Sequence, residues 1–351
     1  MWQKMQSAQW AYYNDNSMLT PPDIPEQRIL DCLKLQFGIN ATRLTFLPLG
    51  VGADAAVYRA ESGGSAWFVK LRRKFDPLAV ELPAWLAAQG VGHVLAPLAA
   101  LDGRRWADLD DWAVIVYPFV EGQDGYARAM AREQWTAFGA AMRAVHDSAL
   151  PDDLRGRVAE EGWSPVWRER LAGWMTRVDA TGWQDAEAEV CAAVMRTHRD
   201  SVMAMLAEAE RLNPAERDVD ALLVLCHTDL HPGNLLITDN GGFYIVDWDA
   251  PLLAPRERDL MFIGAGQGFA GVTAEEEGAW FFAGYGTVDI NADLLHYYRL
   301  ARMIEDMALF CDDLLGGAAQ GADRAASLRY LTGIVESINR KDAKDAKKII
   351  K

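Results

Sequence analysis

The chain has 351 residues, 50% of them hydrophobic and 24% charged, with a formal net charge of −15. That balance excludes wholesale disorder, and the length allows two lobes with a sizeable core. The acidic excess argues against nucleic acid or an anionic membrane as partner and is compatible with a polycationic small molecule.

Residues 1–17 lack a clean period and are expected to be a disordered extension. Ile29, Leu30, Leu33 and Phe37 have helical spacing, with Gly38 where a C-cap belongs. From Leu44 the period becomes that of strands: Leu44–Leu47, then the loop Gly50-Val51-Gly52-Ala53-Asp54, then Ala56–Ala60. Gly63-Gly64 predicts a hairpin turn into Ala66–Leu71, which carries Lys70 near its end. A helix is expected around Leu78 to Gln89, and further strands near Val94–Leu101 and Ala113–Val120. Gly122 and its polar neighbours read as a linker. Residues 18–121 are therefore expected to form an N-terminal nucleotide-binding lobe, mostly antiparallel sheet with one main helix.

After Gly125 the pattern turns helical. Trp135, Phe138, Met142 and Val145 lie on one face, and residues 163–211 continue with a break near Gly182. Short strands are expected at Leu222–Leu225, Asn234–Ile237 and Phe243–Val246. Helices resume after Pro255 and run from Ala292 to the C-terminus. Residues 122–351 thus form the expected larger, mostly helical lobe, giving an α+β bilobal fold.

Cys32, Cys191, Cys226 and Cys311 form no CxxC pair, so buried free thiols of a reducing cytoplasm are expected. The most apolar window, Ala84 to Leu101, is broken by Gln89, Gly90, Gly92, His93 and Pro97 and cannot be a spanning helix. No signal-peptide pattern opens the chain.

The chemistry concentrates in Cys226-His227-Thr228-Asp229-Leu230-His231-Pro232-Gly233-Asn234 and in Tyr244-Ile245-Val246-Asp247-Trp248-Asp249. Acids at strand ends are costly unless a cation meets them. A hydroxyl attacking a phosphate needs a carboxylate to take its proton, and the metal on the phosphates needs oxygen ligands. Asp229 suits the first task, and Asn234 with Asp247 suits the second. Lys70 is out of place on an apolar strand unless its ammonium meets anions, as a lysine holding ATP phosphates does. Glu81, on the following helix, is the expected brace for that lysine, with Asp76 as runner-up. Gly50 and Gly52 sit where a loop should cover the phosphates, and the segment through Tyr117 and Phe119 where a connector should meet adenine. His231 reads either as loop scaffolding or as a substrate contact, and Asp249 as a surface acid or an additional metal or substrate contact.

On these residues the chain resembles the aminoglycoside phosphotransferase family, small-molecule kinases with a protein-kinase-like fold. More narrowly, Asp247 to Gly264 and the pair Tyr297-Tyr298-Arg299 and Arg302-Met303-Ile304-Glu305-Asp306 resemble spectinomycin phosphotransferases. The resemblance covers roughly residues 19–320. It implies ATP- and Mg2+-dependent phosphorylation of a hydroxyl on an aminocyclitol antibiotic in the cytoplasm, by a monomer or weak homodimer. Asp229 would be the base, Asn234 and Asp247 the metal ligands, and Lys70 the phosphate clamp. Thr228 stands where protein kinases have arginine, so control by activation-loop phosphorylation is not expected.

A cationic substrate needs carboxylates around it. Asp249, Asp259, Glu305, Asp306 and Asp312 are the candidates, with Tyr298 among the aromatics that could stack on a ring. Asp259 has a competing structural reading as a partner of Arg256 or Arg302. Rival functions are a metabolic kinase acting on choline, homoserine or a thioribose sugar, a catalytically silent pseudokinase, and a metal-dependent hydrolase.

Overall fold

The structure, a computed structural model, describes residues 21–49, 54–217, 221–265, 268–317 and 322–349. The expected extension over 1–17 and the loop glycines Gly50 and Gly52 lie outside the described residues. The fold is α+β, as the sequence leads one to expect.

Helix α1 (Glu26–Phe37) buries Ile29, Leu33 and Phe37 and ends at Gly38, whose left-handed φ of 69° returns its N–H to the last turn. Strands β1 (Arg43–Leu47), β2 (Ala55–Ser62) and β3 (Ser65–Arg72) follow. The β2–β3 turn has two residues, Gly63 and Gly64, both at positive φ (56° and 88°), and pairs Ser62 with Ser65. Only glycine holds two such angles without strain, and this fixes the register that places Lys70. After α2 (Leu78–Ala88), β4 (Ala107–Leu109) and β5 (Trp112–Pro118) complete an antiparallel sheet in the order β1-β2-β3-β5-β4. Lys70 therefore stands on the central strand. One face of the sheet packs on α1 through Tyr58, Val69, Leu71, Val114 and Val116.

The strand expected at Val94–Leu101 does not form. Pro97 has no N–H for a ladder, and the segment's bonds go to scattered partners: an isolated bridge of Val94 with Ile245, Leu98 N–H to Val116 C=O, Ala100 N–H to Arg104 C=O and Leu101 N–H to Gln36 C=O. The following β4 is an element that the sequence reading missed. The expected linker at Gly122 is instead β6 (Gly122–Asp124), paired with the stretch Leu236–Thr238.

Helix α3 (Arg132–His146) and the short α4 (Asp152–Arg155) precede α5 (Val166–Arg177), α6 (Ala186–Thr197) and α7 (Arg199–Arg211). The chain then re-enters sheet with β7 (Leu223–Cys226), β8 (Leu235–Thr238), β9 (Phe243–Ile245) and β10 (Leu252–Pro255). Strand β10, also unforeseen, pairs with β7, while β8 lies between β6 and β9. Helices α8 (Glu257–Leu260), α9 (Ala274–Tyr285), α10 (Ala292–Leu314) and α11 (Ala322–Ile349) follow. No helix among the described residues is long and apolar enough to cross a membrane.

Two compact units result. One takes the described residues up to Glu160 together with Leu222–Val288; the other takes those of Glu161–Ala221 and from Asp289 onward. The five-stranded sheet ends close to the boundary expected at residue 121, but compactness groups α3, the β7–β10 strands and α9 with that sheet. Within the first unit α3 and α9 meet at glycines. A Cβ on Gly139 would fall on the Phe281 carbonyl, and one on Gly284 on the Thr136 carbonyl. The second unit is helical, with Leu171, Met175, Cys191, Met195, Val202, Ile304 and Cys311 in its interior. All four cysteines are buried thiols.

Candidate active site

The acid-rich segment leaves β7 at Cys226 and is set by a buried carboxylate. Asp259, at the start of α8 and 0% exposed, accepts the backbone N–H of His227 at 2.9 Å and of Thr228 at 2.6 Å. His146, at the end of α3, lies 3.0 Å from the same carboxylate through Nε2 and 2.6 Å from the Tyr285 hydroxyl through Nδ1. Burial works against the Asp259 charge, but His146 and the loop N–H groups overcome it and hold its carboxyl below the usual range. Thr228 turns left-handed, at φ 76°, and its hydroxyl donates to Ala250 C=O at 2.8 Å. A β-branched residue adopts that angle only where its surroundings over-determine it, and here the one hydroxyl bond and the two backbone N–H bonds to the Asp259 carboxylate do so. Asp259 is thus a support of the loop. Neither Arg256 nor Arg302 is its partner in the bonds described, and full burial removes it from the substrate candidates.

Two histidines in the loop share one device. His227 Nδ1 accepts the N–H of Asp229 at 3.3 Å, and His231 Nδ1 accepts that of Gly233 at 3.0 Å. An accepting Nδ1 puts the proton of a neutral ring on Nε2. The Nε2–H of His227 donates to Val246 C=O at 3.0 Å, tying the loop to the residue before Asp247. That of His231 faces Asp229 Oδ2 at 3.4 Å. Asn234, on a short 3-10 turn, donates through Nδ2 to the Asp229 carbonyl at 2.8 Å and to Oδ2 at 3.3 Å. Its carbonyl accepts from Val246 N–H at 3.0 Å. Asp229, Asn234 and the chain entering Asp247 are thereby held by one set of bonds. With Nδ2 committed to Asp229, Oδ1 is the atom that Asn234 can offer a cation.

Asp247 follows β9 in the left-handed region, at φ 65°, with Trp248 buried beside it against the His227 ring. Its carboxylate lies 2.6 Å from Lys70 Nζ. Asp249, two residues on, receives Lys70 at 3.1 and 3.0 Å and Arg72 at 3.3 Å. Burial opposes the charge of Lys70, but the two carboxylates outweigh it and raise its pKa. The surrounding protein also opposes the charge of Asp247, and Lys70 reverses that and lowers its pKa. Asp249 goes the other way, raised by burial and by the neighbouring Asp247 charge. A hard carboxylate from Asp247 and a carboxamide oxygen from Asn234 are donors that suit Mg2+.

Other expected residues are placed differently. Glu81 pairs with Arg157 at 2.6 Å, so the acids that meet Lys70 are Asp247 and Asp249 and not the brace expected on α2. Asp76 caps that helix through Leu78 N–H. The N–H of Phe119 donates to Ala66 C=O at 3.2 Å, which removes it as an adenine donor, while Arg59 covers its ring at 4.2 Å. Tyr117 is half-buried on β5, its hydroxyl pKa pushed up by burial and by the charges of Asp249 and Asp247. Glu305, Asp306 and Tyr298 belong to the other compact unit, on α10. Asp306 pairs with Arg302 at 3.0 Å and Glu305 is half-buried. Tyr298 is 2% exposed, with its hydroxyl accepting from Trp163 Nε1, so it is a packing residue and not a stacking surface. Asp312 likewise holds Arg170 and Trp174. His146, Cys226 and Asp259 bring ligand-type atoms within 4.8 Å of one another, but their hydrogen bonds make them the floor of the loop.

Arg72 and His146 escaped the reading of the sequence. Arg72 was signalled by its two-residue offset from Lys70 on a strand; His146, more than a hundred residues from its partner, had no local signal.

The chain is similar to spectinomycin phosphotransferase APH(9)-Ia solved in complex with ADP and spectinomycin, with 26% identity, TM-score 0.82, and coverage of 91% of this chain and 99% of that one. The AMP-bound complex of the same enzyme gives 27% identity, TM-score 0.78, and coverage of 89% and 97%. Protein StrN of Streptomyces griseus is 29% identical over 231 residues, 62% of this chain and 67% of that protein. Residues 45–290 match the phosphotransferase enzyme family, and the chain belongs to that family.

Proposed function

We propose that this phosphotransferase transfers the γ-phosphoryl group of ATP, with Mg2+, to a hydroxyl of an aminocyclitol antibiotic, with spectinomycin as the first candidate, and that it works in the cytoplasm. The observation that carries the reading is the bond network joining Asp229, Asn234 and Val246, with Asp247 fixed at its end opposite Lys70. The likeness to an enzyme solved with ADP and spectinomycin, over nine-tenths of the chain, supports the choice of substrate.

The chain's own residues divide the work. Asp229 orients the acceptor hydroxyl and takes its proton as the new P–O bond forms and the bond to the ADP oxygen breaks. Asn234 and His231 hold the Asp229 carboxylate in place. Lys70 holds phosphate oxygens. Asp247 and Asn234 would hold Mg2+, which when bound would neutralise charge on the phosphates. Glu305 and Asp306 remain carboxylates proposed for the ammonium groups of the substrate, whereas Asp249, the third expected from sequence, already serves the cations of β3.

An ADP-release assay with ATP and Mg2+ against spectinomycin, other aminocyclitols and choline tests this reading. Release that depends on spectinomycin is expected. Release with choline alone would make the protein a metabolic kinase, and no release with any acceptor would sink the assignment.

A further inference from the structure

Lys70 and Arg72 lie two residues apart on the central strand, so both side chains leave the same face. Both reach one carboxylate: Lys70 meets both oxygens of Asp249, and Arg72 meets Oδ2 at 3.3 Å. The neighbouring cations are committed elsewhere, Arg73 to Asp111 and Lys74 to Asp54. Arg72 pairs across the sheet with Ala55, the first residue of β2. It is 28% exposed, and Asp249 is 32% exposed. A guanidinium fork fits phosphate oxygens as well as carboxylate oxygens, whereas an ammonium acts as a point charge. Along a strand the two residues are about 7 Å apart, enough for their cations to address different phosphates of one chain.

We propose that Arg72 is a second phosphate-binding cation for the nucleotide, and that Asp249 holds it in position as an internal counterpart of the phosphate oxygens. This deepens the reading of the site as a nucleotide site and rests on it. The phosphate chain takes Arg72 from Asp249, so the carboxylate competes with nucleotide and lowers its apparent affinity. Asp249 then regulates the phosphate side of the site, a role different from the substrate contact expected from sequence.

Calorimetric titration of the full chain with ADP and with adenosine, both in EDTA, separates these roles from metal binding. Arg72→Gln should weaken ADP about tenfold, the loss of one charge-assisted contact, and leave adenosine within about twofold. Arg72→Lys should recover part of the loss. Asp249→Asn should tighten ADP several-fold, with adenosine again unchanged, and retained adenosine binding shows that each variant is folded. ADP binding unaltered in Arg72→Gln would overturn the proposal. Weakening of ADP by Asp249→Asn to the level of Arg72→Gln would also overturn it, because Arg72 would then act only by fixing Asp249. If the wild-type chain bound no ADP, the nucleotide reading itself would fall and take the inference with it; normal wild-type binding confines any failure to Arg72.

Discussion

Asp259 Oδ1 accepts the backbone N–H of Thr228 at 2.6 Å, at the residue where the loop before Asp229 turns left-handed. The contact spans thirty-one residues and closes a buried network with His146 and Tyr285. Asp259→Ala leaves two backbone N–H groups and His146 without their acceptor. The expected cost is about 3 kcal/mol or more of stability, read from urea midpoints, with turnover falling further than folding accounts for. A variant with wild-type stability would show that the loop is set by other bonds.

The same carboxyl predicts a pH dependence. Its folded-state pKa is depressed, so the unfolded chain binds the proton more readily. The stabilisation is then full above the unfolded value of about 3.9 and is lost as pH falls through the lower folded value. The stability gap between wild type and Asp259→Asn should be flat between pH 7 and pH 5 and shrink below about pH 4. Urea titrations at pH 7, 5 and 3 measure it, and a gap that widened on acidification would refute the assignment.

Asp229→Asn preserves shape but removes the base. Turnover is expected to fall by about 10²–10⁴-fold with little change in thermal midpoint or ADP affinity, since Asn234 and His231 bind the loop through backbone atoms as well. Near-normal kcat would remove Asp229 from the chemistry.

Helices α3 and α9 cross at Gly139 and Gly284, where an added methyl meets backbone and not a flexible side chain. Gly284→Ala should destabilise by about 1–3 kcal/mol through forced separation of the helices. It should also loosen the Asp259 network, because His146 ends α3 and Tyr285 follows Gly284. Thermal midpoint and kcat should fall together.

The parts of the site that were legible in the sequence are local ones. Asp229, Asn234 and Asp247 follow apolar β-formers at fixed spacing, and the structure brings them into one network. Gly63-Gly64 announced its turn because two positive φ angles demand glycine. What was not legible depends on distant partners. Glu81 looked like a brace by position alone, but Arg157 takes it, and Asp247 with Asp249 meets Lys70 instead. Tyr298 was a candidate by residue type and turned out to be enclosed beside Trp163. Val94–Leu101 had the apolar run of a strand, but Pro97 interrupts its ladder and the remaining donors go to scattered partners.

Strand β10 ties the chain before and after the helices of 161–221 to one place. Leu253 N–H donates to Ala159 C=O at 2.9 Å, and Leu253 forms a bridge with Glu160 on one side while pairing with Leu225 on the other. The chain therefore departs into α5–α7 and comes back into β7 along a single strand. The helices of 161–221 are nonetheless no detachable insertion, because Trp163 bonds Tyr298 and Arg170 and Trp174 bond Asp312, which ties them to α10 within their own unit.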